Sequence, residues 1–166
     1  MSCLGVLFSI DQKTVDLITQ LASDEERVDY VKEFIEPDYF DNHPQWVAEL
    51  GKSWDALHRS LTDGKIDWDN GQFPFNHVVF GGTVLSDGDY IIVLKTKEQV
   101  AEITQAVNQM TEEEMRIGYS SIEVEDYDGF VSEEDFNYTW QWFEFSKEFW
   151  QKAANENRSV LFTVDQ

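Results

Sequence analysis

Histidine and cysteine, which often act as catalytic bases, nucleophiles or metal ligands, are few in this 166-residue sequence. The histidines are His43, His58 and His77, and Cys3 is the one cysteine. A single cysteine excludes an intrachain disulfide framework and a cysteine-rich zinc site, and no two histidines have the i, i+4 spacing of a helical zinc site. The chain contains neither a Gly-x-Ser-x-Gly nucleophile elbow nor a glycine-rich phosphate loop. We therefore expect no metal, no cofactor and no catalytic residue that a motif would identify.

The segment 54–64 is the best candidate for a small-molecule pocket. Trp54 and His58 are four residues apart, so they share one face of a predicted helix, with Asp55 next to Trp54. One interpretation places His58 and Asp55 in a pocket beside a Gly-Gly pair, as in a small hydrolase or a small-molecule-binding domain. The other is a packed helix whose imidazole bonds a backbone carbonyl, which is the commoner role of one histidine on an apolar face. The candidate pocket residues are Trp54, Asp55, His58, Gly81 and Gly82.

The most distinctive feature is an acidic, aromatic-rich segment between Arg116 and Lys147 that contains no other Lys or Arg. In one interpretation its carboxylates are solvated surface charges and its aromatic side chains belong to the core. In the other, residues 123–135 dock a basic partner, because opposite charge speeds association and exposed aromatic side chains anchor interfaces. The candidate anchors are Tyr127, Phe130 and Tyr138, and the candidate partner-binding residues are Glu123, Glu125, Asp126, Asp128, Phe130, Glu133, Glu134 and Asp135.

The overall charge narrows the functional classes further. The chain has 33 acidic and 12 basic side chains, which give a net charge of −21. Nucleic-acid backbones and anionic lipid surfaces both attract clustered Lys and Arg, so we expect neither as a partner. No apolar run approaches the ~20 residues of a membrane helix, and the first ten residues lack the basic start of a secretory signal. We therefore expect a cytoplasmic protein without a membrane span.

Hydrophobic periodicity and capping residues predict a single α+β domain over residues 1–166. Short apolar segments at both ends predict strands over 3–10 and 158–164, and we expect both in a small central sheet packed with several helices. A further strand is predicted over 90–94, and residues 38–44 are polar and turn-rich. The first predicted helix follows Asp11, and the second begins at Ser23 or Asp24 and ends at Pro37. Two more are predicted over 45–61 and 97–110. A fifth follows Thr111, and the last runs from Ser132 to about Asn155.

Several segments of the chain resemble one known family. They are Cys3–Ile10, Trp54–His58 with Leu61–Gly64, Val79–Gly82, Val93–Val100, and the aromatic helix and strand that close the chain. They are similar to the opening strand, the Trp-Asp-x-Leu-His…Leu-Thr-Gly signature, the apolar-Gly-Gly turn and the closing elements of the YfbM-like family, a bacterial domain family of unknown function. The chain departs from this family in its strong acidity, in an extra Asp63 within the signature, and in a turn-rich insertion over 67–74. The resemblance covers nearly the whole chain and implies a compact α+β domain, but no reaction and no catalytic residues.

Three functional hypotheses follow from these features. The first is a non-enzymatic protein that binds a basic protein, for example a bacterial immunity protein that neutralises a nuclease toxin. The second is a small hydrolase or small-molecule-binding domain with a pocket near His58. The third is nucleic-acid mimicry by the acidic face, which needs carboxylates spaced like phosphates. We expect the first, because the motifs that known enzyme chemistries require are missing. The sequence leaves the partner and the oligomeric state open.

Overall fold

The fold is built on a five-stranded antiparallel sheet that contains both terminal strands. The computed structural model describes residues 3–166. Its strands are β1 (Gly5–Ile10), β2 (Val47–Gly51), β3 (Thr83–Asp87), β4 (Tyr90–Lys95) and β5 (Ser159–Asp165). Their order across the sheet is β2-β1-β5-β4-β3. The predicted α+β fold with both ends in the sheet is confirmed, since β1 and β5 pair antiparallel along their lengths.

The helices connect the strands. They are α1 (Gln12–Gln20), α2 (Asp24–Tyr30), α3 (Glu36–Asn42), α4 (Trp54–Leu61), α5 (Lys97–Gln109), α6 (Glu112–Tyr119) and α7 (Glu133–Asn155). Five of them, α1, α2, α5, α6 and α7, begin where the sequence predicts. In these five the residue before the helix accepts a hydrogen bond from the backbone amide three residues later, which satisfies a free donor of the first turn. These capping residues are Asp11, Ser23, Thr96, Thr111 and Ser132. Residues 3–166 contain no helix that is both long enough and apolar enough to cross a membrane.

Hydrophobic clusters cover both faces of the sheet. Along β4, Ile91 and Val93 belong to one cluster, whereas Ile92 and Leu94 belong to the other. This division follows from strand geometry, because successive side chains point to opposite faces. The first cluster includes side chains of α4, α5, α6 and α7, and the second includes side chains of α1 and α3. Burial on both sides explains why β4 is a continuous apolar segment rather than an alternating one.

The predicted helix over 45–61 is wrong in its first half. Residues Val47–Gly51 form β2, which pairs with β1 at the edge of the sheet, and only Trp54–Leu61 is helical. Gly51 ends the strand with a φ of +56°, a conformation that other residues rarely adopt. Apolar residues four apart fit a helix, but they also fit a short strand followed by a helix. The pairing that decides between them involves β1, which is distant in sequence.

The predicted helix end at Pro37 and the turn-rich segment over 38–44 are also wrong. A π-helical turn, Val31–Ile35, carries α2 into α3, so helical structure continues to Asn42. Pro37 lies in the first turn of α3, directly after the π-helical turn, in which the backbone N–H of Glu36 bonds the carbonyl of Val31. A strand that was not predicted, β3, pairs with β4 as a hairpin.

Candidate functional site

A cleft of about 880 Å³ opens between α4 and the segment that joins α6 to α7. Its volume lies in the usual range for ligand pockets. The first residues of α4 form one wall, the joining segment forms another, and the start of α7 completes it. The cleft is lined by four carboxylates and three aromatic side chains, which are Asp55, Asp126, Asp128, Asp135, Trp54, Tyr127 and Tyr138.

Local hydrogen bonds fix the start of α4 against the sheet. The indole Nε1 of Trp54 donates to the backbone carbonyl of Cys3 at 2.9 Å, and the ring lies 5.9 Å from the ring of Phe80. The hydroxyl of Ser53 donates to the carbonyl of Leu50 at 2.6 Å. Because Trp54 is held at both its polar and its apolar atoms, the adjacent Asp55 has a fixed position in the cleft wall.

Arg59 connects the two walls of the cleft. Its side chain is only 2% exposed. Its Nε donates to Asp55 at 2.5 Å and its Nη1 donates to the carbonyl of Gly64 at 3.2 Å. Its Nη2 donates to the backbone carbonyl of Asp126 at 3.1 Å and to the carboxylate of Asp126 at 3.3 Å. The guanidinium therefore has partners for its charge and for each nitrogen, which a buried cation requires.

Burial raises the pKa of Asp55 above its ordinary value. The hydrogen bond and charge of Arg59 act in the opposite direction, and the carboxylates of Asp128 and Asp126 raise this pKa further. The increase in the pKa of Asp55 is therefore due mainly to burial, with a smaller contribution from the two neighbouring carboxylates. A carboxyl group in such a cleft can donate a proton or bind a cation.

Asp135 is held in place by two tyrosine hydroxyls. Tyr119 and Tyr127 both donate to its Oδ2 atom, at 2.6 Å and 2.8 Å. Burial, and then the hydrogen bond to this carboxylate, raise the pKa of both tyrosines, so both remain neutral donors. The backbone N–H of Asp135 donates to the capping hydroxyl of Ser132 at 3.0 Å. These contacts give the carboxylate one orientation in the cleft.

His58 lies beneath the cleft and does not line it. The residue is 1% exposed, and its Nε2 is 2.8 Å from the amide oxygen of Asn70. Its ring packs against that of Phe80, with the centroids 5.5 Å apart. Burial lowers its pKa to about 4, so the imidazole is neutral at pH 7. The packed interpretation of this helix placed a backbone carbonyl on the imidazole, whereas the structure places a side-chain amide there.

Gly81 and Gly82 allow close backbone packing away from the cleft. A Cβ atom on Gly81 would lie 2.4 Å from the carbonyl oxygen of Asn76, and one on Gly82 would lie 2.5 Å from that of Leu94. The carbonyl of Gly81 accepts a hydrogen bond from the fully buried Nζ of Lys95 at 2.6 Å. Of the five candidate pocket residues, the structure therefore places Trp54 and Asp55 in the cleft and the other three outside it.

The acidic segment 123–135 lies at the surface and partly forms the cleft. Six of its seven carboxylate residues are exposed, and the seventh, Asp135, is half-buried. Asp126, Asp128 and Asp135 line the cleft, whereas the remaining carboxylates lie outside it. Phe130 is 83% exposed. Two of the five candidate pocket residues and three of the eight candidate partner-binding residues thus line the same cleft.

Arg59 is one of the cleft residues that the sequence analysis missed. Its i, i+4 spacing from Asp55 on one helix was a usable signal, since such pairs commonly form ion pairs. Its contact with Asp126 joins residues that are 67 positions apart and left no local signal. Among residues 3–166, no group of three or more His, Cys, Asp or Glu side chains is arranged to hold a metal ion.

Comparisons with known proteins identify a family and a fold. The family model described as a domain of unknown function (DUF1877) matches residues 1–163. The crystal structure of YfbM from Escherichia coli, titled a protein of unknown function, is similar with a TM-score of 0.65 and 20% sequence identity. That similarity covers 97% of this chain and 99% of the other, and at this identity it shows the fold alone. No curated protein matches the chain.

Proposed function

This chain belongs to the YfbM-like family DUF1877, a domain of unknown function, and we propose from its surface chemistry that it is a non-enzymatic, protein-binding domain. Its partner is a basic protein that docks on the acidic segment 123–135. One concrete form of this function is an immunity protein that covers the cationic face of a toxin, such as a nuclease, in the cytoplasm.

The exposure of an aromatic side chain within the acidic segment carries this proposal. Phe130 is 83% exposed, and Val124 on the same segment is 61% exposed. Single exposed apolar side chains are common, but this pair lies among seven carboxylates with no Lys or Arg between them. An apolar anchor surrounded by charges of one sign is suited to a partner whose charge is opposite.

Part of the acidic charge is available to a partner. Glu123 forms an ion pair with Lys65 at 3.5 Å, and Glu133 forms one with Arg116 at 2.7 Å. Within residues 3–166, Glu125, Asp128 and Glu134 form no ion pair. Surface ion pairs are weak, so the paired carboxylates can also exchange partners at low cost.

The test is capture of partners from lysate of the source cells at about 50 mM and 500 mM salt, where screening differs strongly. The docking variant combines Glu125→Lys, Glu134→Lys and Phe130→Ala. The control variant combines Glu33→Lys, Glu102→Lys and Phe34→Ala, which makes the same charge change and removes a phenylalanine that is 60% exposed elsewhere. Both variants change only exposed side chains.

We expect the wild type and the control variant to capture the same basic protein at low salt and to release it at high salt. The docking variant should fail to capture it. Capture that is insensitive to salt, or that survives in the docking variant, would contradict the proposal. Equal loss in both variants would show that total charge, rather than this segment, determines binding.

A second candidate function is small-molecule binding or hydrolysis in the cleft. The observation that favours it is that Trp54 and Asp55 from the candidate pocket line a cleft of ligand size. A neutral ligand that raises the melting temperature of the wild type but not of Asp128→Lys would support this function over protein docking.

A further inference from the structure

We propose that the cleft receives an arginine or lysine side chain of the basic partner, an inference that rests on the proposed docking function. The acidic segment then brings the partner to the surface, and the cleft holds one of its cationic side chains. The argument depends on three properties of the cleft, which are its charge, its aromatic walls and its size.

The charge of the cleft favours a cation. Asp55 and Asp126 both contact the buried guanidinium of Arg59, which offsets their charge in part. Asp128 forms no ion pair within residues 3–166, and Asp135 interacts with neutral tyrosine hydroxyls rather than with a cation. Lys52, an exposed residue, is the second cation that lines the cleft. Four carboxylates and two cations therefore leave a negative site.

The carboxylate of Asp135 has an ordered position and one oxygen atom that can accept a further hydrogen bond. Both tyrosine hydrogen bonds reach its Oδ2 atom, and no hydrogen bond reaches its Oδ1 atom within residues 3–166. The carboxylate therefore has a fixed orientation and free acceptor capacity. A guanidinium or ammonium group that binds such a carboxylate forms a charge-assisted hydrogen bond, which is stronger than a neutral one. Because the side chain is already ordered, little conformational entropy is lost on binding.

The aromatic residues of the cleft also suit a cation. Tyr138 is 38% exposed, and the ring of Tyr127 already lies 5.6 Å from the guanidinium carbon of Arg59. Cations are attracted to aromatic faces, and arginine uses this contact more often than lysine. A cleft of about 880 Å³ has room for one long side chain together with the peptide backbone on either side of it.

The first experiment measures peptide binding by chemical-shift changes in ¹H–¹⁵N spectra. The probe is a short peptide with blocked ends whose only charge is one central arginine, and the matched control peptide carries citrulline, which has nearly the same shape but no charge. We expect the arginine peptide to shift the signals of Tyr127, Asp128, Gly129 and Tyr138. Equal binding of the citrulline peptide, or shifts spread over the whole acidic surface, would overturn the inference.

Two single variants test the position of the bound cation. Asp128→Lys places a positive charge in the cleft, whereas Glu125→Lys makes the same charge change on the same segment outside it. Both side chains are exposed, so both variants should fold, which their spectra will show. We expect Asp128→Lys to weaken arginine-peptide binding about tenfold or more, the loss of one charge-assisted hydrogen bond. Glu125→Lys should weaken it by about twofold at most, since exposed charges are screened. Equal effects would place the cation outside the cleft.

A third set of measurements distinguishes binding of a protein side chain from binding of a free polyamine. It also tests the cleft inference separately from the docking function. Spermidine that binds the cleft more tightly than the arginine peptide would overturn the assignment to a protein side chain. Capture of the basic partner by wild type and Asp128→Lys alike would overturn the cleft inference and leave docking on the segment intact. Failure of the wild type to capture any basic protein, despite peptide binding in the cleft, would instead overturn the docking function.

Discussion

Two regions of this molecule, the interior around His58 and Lys95 and the acidic segment 123–135, differ in how they accommodate charged and polar side chains. In the interior, Lys95 is fully buried and donates to the backbone carbonyls of Val79 and Gly81, and His58 pairs with Asn70. In the acidic segment, the carboxylates are mostly exposed and several have no ionic partner. Buried polar groups that bond within the protein stabilise one structure, whereas unpaired surface charges remain available to a partner.

Arg59 belongs to both regions. It is as buried as the interior residues, yet two of its partners belong to the surface of the cleft. It therefore joins the core to the acidic segment through its hydrogen bonds to Asp126. This comparison predicts large stability effects at the interior residues and small ones on the segment, where binding should change instead.

The largest effect is expected for Arg59→Met. Removal of the buried guanidinium leaves the partly buried Asp55 without its counter-ion and leaves the carbonyl of Gly64 without this donor. Breaking a buried pair in this way costs about 3–5 kcal/mol of unfolding free energy. Urea denaturation measures the loss, and Arg116→Met is the matched control because Arg116 forms its ion pairs at the surface. Similar losses in both variants would show that Arg59 does not connect the core to the cleft.

A smaller, pH-dependent effect is expected for His58. Its pKa is lowered to about 4 in the folded protein, below its ordinary value of 6.5, so the unfolded chain binds more protons between these values. The resulting stabilisation is complete above about pH 6.5 and is lost as the pH falls towards 4, by up to about 3 kcal/mol. Relative to His58→Gln, the wild type should therefore lose stability in acid. Parallel stability curves for the two proteins from about pH 7 to 4.5 would contradict the sealed position of His58.

Lys95 should show the same type of linkage at alkaline pH. Burial lowers its pKa well below the ordinary value of 10.5. Between the lowered pKa and 10.5 the unfolded chain binds one more proton, so stability rises with pH by up to about 1.4 kcal/mol per pH unit. We expect the wild type to gain stability relative to Lys95→Met when the pH is raised from about 8.5 to 9.5. A constant difference across this interval would show that Lys95 is not titrating as a buried lysine.

Features that depend on local contacts could be predicted from the sequence, whereas features that depend on contacts between distant residues could not. Helix starts such as Ser132 depend on contacts within one turn, so the capping pattern predicted them. The edge strand β2 depends on β1, and its local pattern resembles that of a helix. The cleft depends on contacts such as Arg59 with Asp126, which are distant in sequence. The sequence therefore predicted three of the five strands, β1, β4 and β5, and most helices, and it identified both walls of the cleft without indicating that they meet.

The smallest stability effect is expected for Phe130→Ala, and this variant tests the acidic segment most directly. Since Phe130 is 83% exposed, its truncation should change the unfolding free energy by no more than about 0.5 kcal/mol. Phe136→Ala, only six positions along the chain, removes a ring that is 1% exposed and should cost about 3–5 kcal/mol. If Phe130 is an interface anchor, its truncation should also weaken partner binding about tenfold or more. A large loss of stability without a change in binding would show that Phe130 packs in the core and is not an interface anchor. The proposed difference between the two regions would then be wrong at the most exposed residue of the segment.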